Sequence, residues 1–172
     1  MKIKTAALLK ADTFYDEISD FYEKMIDFEK NLELRVKAYQ EIFTEKGKAA
    51  DLGCGVGLDS LALAMNGHKV SAFDISPKMI TETKQNAIKY NVDIATHVHS
   101  FQTMPKKFNQ KFNSVISAGN TIAHLNSKQL KAAINKMYKL LLPGGKLFLH
   151  ILNYQLIKKE NKRINNIANR DG

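Results

Sequence analysis

Two periods of apolar and polar positions run along this chain, and the switches between them mark out its elements. Over residues 12–45 the period is helical. Ile18, Phe21, Tyr22, Met25 and Ile26 share one face, and Leu34, Tyr39, Ile42 and Phe43 are available for another, which predicts two helices laid over a core. A short apolar run at Ala49-Ala50 predicts a strand, and Leu58, Leu61, Ala62 and Met65, spaced by three and four, predict a helix soon after it. Asn66-Gly67 stops that helix, and residues 68–73 alternate towards a second strand that ends on Asp74. Ser76-Pro77 supplies a cap and a first helical position for a helix to about Tyr90, with Met79, Ile80, Thr83 and Ala87 on one face. Residues 92–98 and 112–117 read as strands. Asn126, with Gln129 as its reciprocal partner, caps a helix whose stripe is Leu130, Ala133, Ile134, Met137 and Leu141; Pro143-Gly144-Gly145 ends it. A fifth strand over residues 146–152 and a helix with a frayed end from Gln155 complete the chain. This order predicts a parallel α/β sheet with right-handed crossovers and ligands at the carboxyl ends of the strands.

The chemistry concentrates where the first strand meets the first crossover helix, at Asp51-Leu52-Gly53-Cys54-Gly55-Val56-Gly57. Three glycines on alternate positions remove the Cβ atoms that would hold a ligand off the backbone, and the N–H groups at the helix start are predicted to offer donors and partial positive charge. A dinucleotide site wants Gly-x-Gly-x-x-Gly; here the third glycine comes one residue early. Such turns also arise for geometry alone. One helix and one returning strand later, Asp74 is predicted beside the turn, where its carboxylate could accept from both hydroxyls of a ribose or begin the following helix turn.

The chain has 172 residues, 44% of them hydrophobic, enough for one domain with a real core and too few for two ordinary ones. Its net charge of +9 raises nucleic acid as a partner, but the lysines are scattered over every segment without an aromatic-interleaved basic strip, so nucleic acid is not expected. Asn and Ile are abundant beside Lys, as a biased genome composition would also give. A single cysteine, Cys54, excludes an internal disulfide, and no Cys/His cluster has metal-ligand spacing; His97 and His99 lack a third ligand. The apolar run near the N-terminus covers only Ala6 to Leu9, too short for a signal peptide, and no stretch approaches the ~18 apolar residues of a membrane span. The expected location is cytoplasmic.

The spacing of the glycine turn with Asp51 resembles motif I of the class I S-adenosylmethionine-dependent methyltransferases. Gly57-Leu58-Asp59-Ser60, Asp74-x-Ser76-x-Lys78-Met79, the loop Ala118-Gly119-Asn120-Thr121-Ile122-Ala123-His124-Leu125, and Pro143-Gly144-Gly145 followed by Asn153-Tyr154 narrow this. Together they resemble the glycine/sarcosine N-methyltransferase group over roughly Tyr15 to Leu156. The resemblance implies a Rossmann-like, mostly parallel five-stranded sheet of order 3-2-1-4-5, with helices on both faces and the N-terminal helices over the cofactor site. It implies one domain: a helical cap over 1–46, a cofactor-binding core over 47–153 and a C-terminal helix and tail over 154–172. By the same resemblance Asp51, Gly53, Cys54, Gly55 and Gly57 would line the methionine part of S-adenosylmethionine, and Asp74 would hold its ribose. Ile75, Met79, Ser100 and Phe101 would surround adenine, while Ala118, Gly119 and His124 would close over the methionine end. Tyr15, Tyr22 and Arg35 would reach the cofactor from the N-terminal helices, with Arg35 on its carboxylate. Asn120 would face the acceptor, and Asn120 with Tyr154 would orient it.

The implied reaction is methyl transfer to a small-molecule acceptor, expected at nitrogen, leaving S-adenosylhomocysteine. A neutral amine held in line at ~3 Å reacts through proximity and exclusion of water, so no general base is assigned. Two departures bear on this. The glycine-using enzymes place an arginine just before the Asn-Tyr pair, where this chain has Leu152, which argues against a small amino acid. The chain also stops at Gly172, short of the usual further helix and antiparallel strands, so that the expectation is either a truncated product or a strand five that is an edge for a protein partner or a second copy to cover. The alternative is a cofactor-binding protein that is inactive, or needs a partner, for want of that region.

Overall fold

Short strands rich in Ala, Val, Ile and Phe pair side by side because both their faces are apolar, and crossover helices then cover those faces. The computed structural model describes residues 26–101 and 103–159. Helix α1 (Phe28–Ile42) leads into β1 (Lys48–Leu52), α2 (Leu58–Met65), β2 (Lys69–Asp74), α3 (Pro77–Lys89) and β3 (Ile94–Val98). After a single 3-10 turn come β4 (Phe112–Ser117), a second 3-10 turn (Thr121–His124), α4 (Ser127–Leu140), β5 (Leu141–Leu149) and α5 (Tyr154–Lys159). The five strands form one sheet of order β3-β2-β1-β4-β5, every pair parallel, as predicted.

Neighbouring positions of one strand feed different layers. Ala49 and Ile116 join Tyr39, Phe43, Leu61 and Met79 under α1, α2 and α3, while Ala50 and Val115 join Leu52, Phe73, Met137 and Leu140 beneath α4. Two caps formed as the sequence indicates. Ser76 accepts from the Met79 N–H, and Asn126 makes the full capping box with Gln129.

Three boundaries differ from expectation. Strand β3 starts at Ile94, because the Val92 N–H bonds back to the Ala87 carbonyl and Asn91 turns left-handed (φ 51) to close α3. Helix α4 ends at Leu140, and Leu141, assigned from its spacing to the helical stripe, is the first residue of β5. Leu141 pairs with Phe112, but the next partners are Lys146 and Ser114, so the stretch from Leu142 to Gly145 arches out of register. Pro143 has no N–H to give the ladder and Gly144 takes φ 77, so this stretch bends the strand instead of preceding it. Strand β5 also ends at Leu149, not Leu152; after the His150 N–H reaches Ser117 the chain turns away. Of the two N-terminal helices expected, α1 corresponds to the second; the stretch expected to form the first lies outside the described residues, as do Tyr15, Tyr22 and the tail beyond Lys159. On α1, Leu34 and Ile42 are exposed, whereas Tyr39, and Phe43 just past the helix end, are buried.

Candidate active site

The glycine turn sits at the carboxyl end of β1, between the ends of β2 and β4, and each of its neighbours grips it. Gly53, Gly55 and Gly57 all take positive φ (79, 55 and 92), which only glycine adopts without strain. The N–H groups of Gly53 and Cys54 donate to the Phe73 carbonyl, the Gly55 N–H donates to Asp74 Oδ2 at 2.9 Å, and the Gly57 N–H donates to the Cys54 carbonyl. These four donors of the turn itself, which precede the first residue of α2, are satisfied within the protein. Helix α3 holds the other side: Thr83 Oγ1 donates to the Gly55 carbonyl at 2.8 Å and Asn86 Nδ2 to the Val56 carbonyl at 3.0 Å. A Cβ on Gly53 would come within 2.2 Å of Thr121 Cγ2, and one on Gly57 within 2.9 Å of Thr83 Cγ2. At these two positions glycine is needed first for close approach of the protein to itself.

Asp74 is where β2 delivers it, 8% exposed at the rim of the turn. Its Oδ2 takes the Gly55 N–H and its Oδ1 takes the Ser76 N–H, each at 2.9 Å, so the carboxylate lies beside the turn and also starts the turn into α3. Ile75 beside it is 43% exposed. Met79 does not join it as an adenine platform. It is fully buried among Val56, Leu61 and Val70, since the α3 face that carries it is the one turned to the core. Ser100 and Phe101 stand after β3 on the far side of Asp74. Ser100 is tied into a local turn through Thr103, and Phe101 packs partly buried against the Leu52–Phe73 layer.

Asp51 also departs from expectation. Only 1% exposed, it accepts Ser60 Oγ at 2.6 Å and the Ser60 backbone N–H, so it lies behind the turn and anchors the first turn of α2 rather than lining a ligand surface. Burial, with Asp59 adding to it, pushes the Asp51 carboxyl up to about 8. Cys54 is buried with its sulfur 3.6 Å from Thr83 Oγ1, and burial raises its thiol well above the ordinary range.

Asp59, to which sequence reasoning gave no role, organises the neighbouring polar cluster. It accepts Tyr39 Oη at 2.5 Å and pairs with Arg35 Nε at 3.1 Å. Burial raises its carboxyl, while Tyr39 and Arg35 pull it back down. Arg35 is thus fixed by α2 rather than swinging freely. His150, also unassigned, follows β5; its Nδ1 is buried with no partner among the described residues, and it lies close enough to help lower the Asp59 carboxyl. The signal for Asp59 was an acidic residue in the first turn of a helix, and the signal for Thr83 and Asn86 was polarity on a buried helical face.

At the far wall, Ala118 is buried, Gly119 and Asn120 take left-handed φ (61 and 70), and His124 closes the 3-10 turn. Asn120 Nδ2 donates to Tyr154 Oη, and Asn120 Oδ1 accepts the Leu152 N–H at 3.3 Å. The two residues expected to orient an acceptor are therefore in contact. His97 stacks on Phe73 at 4.8 Å between ring centroids, and no metal-holding cluster occurs among the described residues. Nor is any described helix long and apolar enough to cross a membrane.

A family model described as a methyltransferase domain matches residues 49–145, more than half of the 172-residue chain. A ubiquinone biosynthesis O-methyltransferase of Coxiella burnetii is 32% identical over 121 residues, covering 70% of this chain and 50% of that protein. One from Xanthomonas oryzae is 30% identical over 106 residues, 62% of this chain and 43% of its own. The chain thus spans about half the length of the curated relatives it matches. These relatives are named for methyl transfer to oxygen, and not as glycine or sarcosine enzymes. Among solved structures, an S-adenosylmethionine-dependent methyltransferase from Clostridium acetobutylicum superimposes with a TM-score of 0.66 at 19% identity, over 86% of this chain and 61% of that one. Magnesium protoporphyrin IX methyltransferase from Synechocystis superimposes with a TM-score of 0.60 at 21% identity, over 80% and 74%. By its matched core, its sheet order and its glycine turn, the chain belongs to the methyltransferase domain family, with the class I S-adenosylmethionine-dependent methyltransferase fold.

Proposed function

We propose that this domain binds S-adenosylmethionine across the Gly53–Gly57 turn and transfers its methyl group to an oxygen of a small-molecule acceptor. The observation that carries the reading is the bond between Asp74 and the Gly55 N–H, which fixes a carboxylate at the rim of a turn stripped of side chains. The residues present fit such a ligand: Asp74 offers a carboxylate to ribose hydroxyls, and exposed Ile75 offers an apolar surface to a base beside it. Phe101 and the Ser100 backbone are the further adenine contacts in this reading, with Gly53, Ala118 and Gly119 flanking the methionine part. Asp59 orients Arg35 for the cofactor carboxylate.

When bound, the sulfonium supplies an electrophilic methyl group. An acceptor bound as the oxyanion of a phenol or carboxylic acid leaves no proton to be removed, so the chain's own contribution is placement. Asn120, held by the Leu152 N–H, and Tyr154, held by Asn120, would present and orient the acceptor at the ends of β4 and β5. The relatives' names favour oxygen over the nitrogen first expected, and Leu152 in place of a carboxylate-gripping arginine supports an acceptor other than a small amino acid. Among the described residues β5 pairs on one side only, so a partner, or a second copy, covering that edge belongs to the same proposal.

Calorimetry with S-adenosylhomocysteine tests the cofactor. Label transfer from S-adenosylmethionine to phenols, catechols, carboxylic acids, amines and amino acids then tests the acceptor. Absence of heat sinks the reading; binding with transfer only to amines restores nitrogen, and binding without transfer leaves a cofactor-binding domain.

A further inference from the structure

We infer that the amino ends of β1, β2 and β4 form a second ligand site, for a compact polyphosphate-type anion, at the end of the sheet away from the glycine turn. A cavity of about 600 Å³ opens there, and four of its lining residues are Lys46, Lys48, Lys69 and Lys111. Gln110 and Asn113 complete its polar wall, and no carboxylate lines it among the described residues. Nor does any of the four ammonium groups form an ion pair among those residues.

The sequence scatters these four lysines over three segments, and the parallel sheet brings them together. Each stands just before or at the first residue of a strand, and in a parallel sheet all such starts lie at one end. Lys48 and Lys69 are direct partners in the β1–β2 register, so they leave the sheet on the same face on strands ~4.8 Å apart. Like charges directly opposed in this way destabilise a sheet, and an anion seated between them reverses the sign of that interaction. The carbonyl end of α2 at Gly67 also lines the cavity, but a helix terminus supplies at most about half a negative charge against four ammonium groups.

The groups on offer select the ligand. Asn113 has its Oδ1 engaged by the Lys48 N–H at 2.9 Å, so what it presents is its NH₂. Lysines act as compact point charges with several donors each, suited to phosphate oxygens without the planar matching that arginine gives. No aromatic ring lines the cavity among the described residues, so a base has no stacking platform, which favours a di- or triphosphate over a nucleic-acid strand. The site shares no residue with the glycine turn, and its test is independent of the cofactor reading.

Tripolyphosphate is the probe, titrated calorimetrically into the full chain at low salt, alone and with S-adenosylhomocysteine in excess. The expected result is one site per chain, unaffected by S-adenosylhomocysteine and weakening steeply as salt rises from about 50 mM to about 200 mM. The double variant Lys48→Gln/Lys69→Gln is expected to bind at least about tenfold more weakly, while its thermal midpoint stays at or above that of the parent. Lys111→Gln, just before a different strand, serves as a second variant should the first fail to fold. No heat at low salt overturns the proposal, as does unchanged affinity in both variants or displacement by S-adenosylhomocysteine. Tighter binding of single-stranded oligonucleotides, growing with their length, would overturn it in favour of a nucleic-acid track.

Discussion

Asp74 and Gly55 are joined by a 2.9 Å hydrogen bond from the Gly55 N–H to Asp74 Oδ2, so the end of β2 and the turn after β1 are a single unit before any ligand arrives. Because Asp74 also takes the Ser76 N–H, one carboxylate sets the turn, the end of a strand and the start of α3.

Replacing Asp74 therefore has two separable effects. Asp74→Ala leaves the Gly55 N–H without its acceptor, which costs about 1–3 kcal/mol of stability. On the proposed reading it also weakens S-adenosylhomocysteine by at least about tenfold. Thermal unfolding measures the first and calorimetry the second. A variant that melts early but binds as tightly as the parent would confine Asp74 to structure.

Gly53→Ala should destabilise through both backbone and packing. The left-handed φ of 79 costs an alanine about 1–2 kcal/mol, and the new Cβ would meet Thr121 Cγ2 at 2.2 Å. Adding Thr121→Ala removes the closest contact and should recover part of the loss in a denaturation experiment, with the φ penalty remaining. If Thr121→Ala restores nothing, the clash is not what limits this position.

The pH dependence has a defined sign. Asp51 is pushed up to about 8, by burial first and then by Asp59, from an ordinary value near 4 in the unfolded chain. The folded protein holds that proton more tightly, so the contribution of Asp51 to stability is fully present below about pH 4 and is lost as pH rises through about 8. Asp51→Asn should flatten this decline in urea unfolding measured across the interval. A variant with the parent's slope would show that Asp51 is already ionised in the fold.

Tyr154→Phe removes the hydroxyl that accepts from Asn120 at an exposed position. With an acceptor in hand, the expected outcome is kcat/KM lower by about tenfold with S-adenosylhomocysteine affinity unchanged. Equal kcat/KM would remove Tyr154 from the acceptor wall.

The parts legible in the sequence were those written in local chemistry. The glycine spacing, the capping box of Asn126 with Gln129, and the single acid closing β2 each depend on residues a few positions apart. Leu141 was misread because its spacing continues the α4 stripe, and a 3.6 period cannot tell the last helical residue from the first residue of a strand. The acceptors of the Gly53, Cys54 and Gly55 N–H groups, Phe73 and Asp74, come from another strand, so no local pattern shows where those donors go. The contacts of Tyr39 and Arg35 with Asp59 depend on how α1 packs against α2, which no local pattern encodes. The lysine cavity was invisible for the same reason, because only the sheet order makes neighbours of Lys48, Lys69 and Lys111.

That order has an electrical consequence. Lys46, Lys48, Lys69 and Lys111 meet where β1, β2 and β4 begin, whereas the glycine turn stands where β1 ends, so an anion drawn in by the lysines meets the sheet at the end opposite the turn and need not cross its mouth.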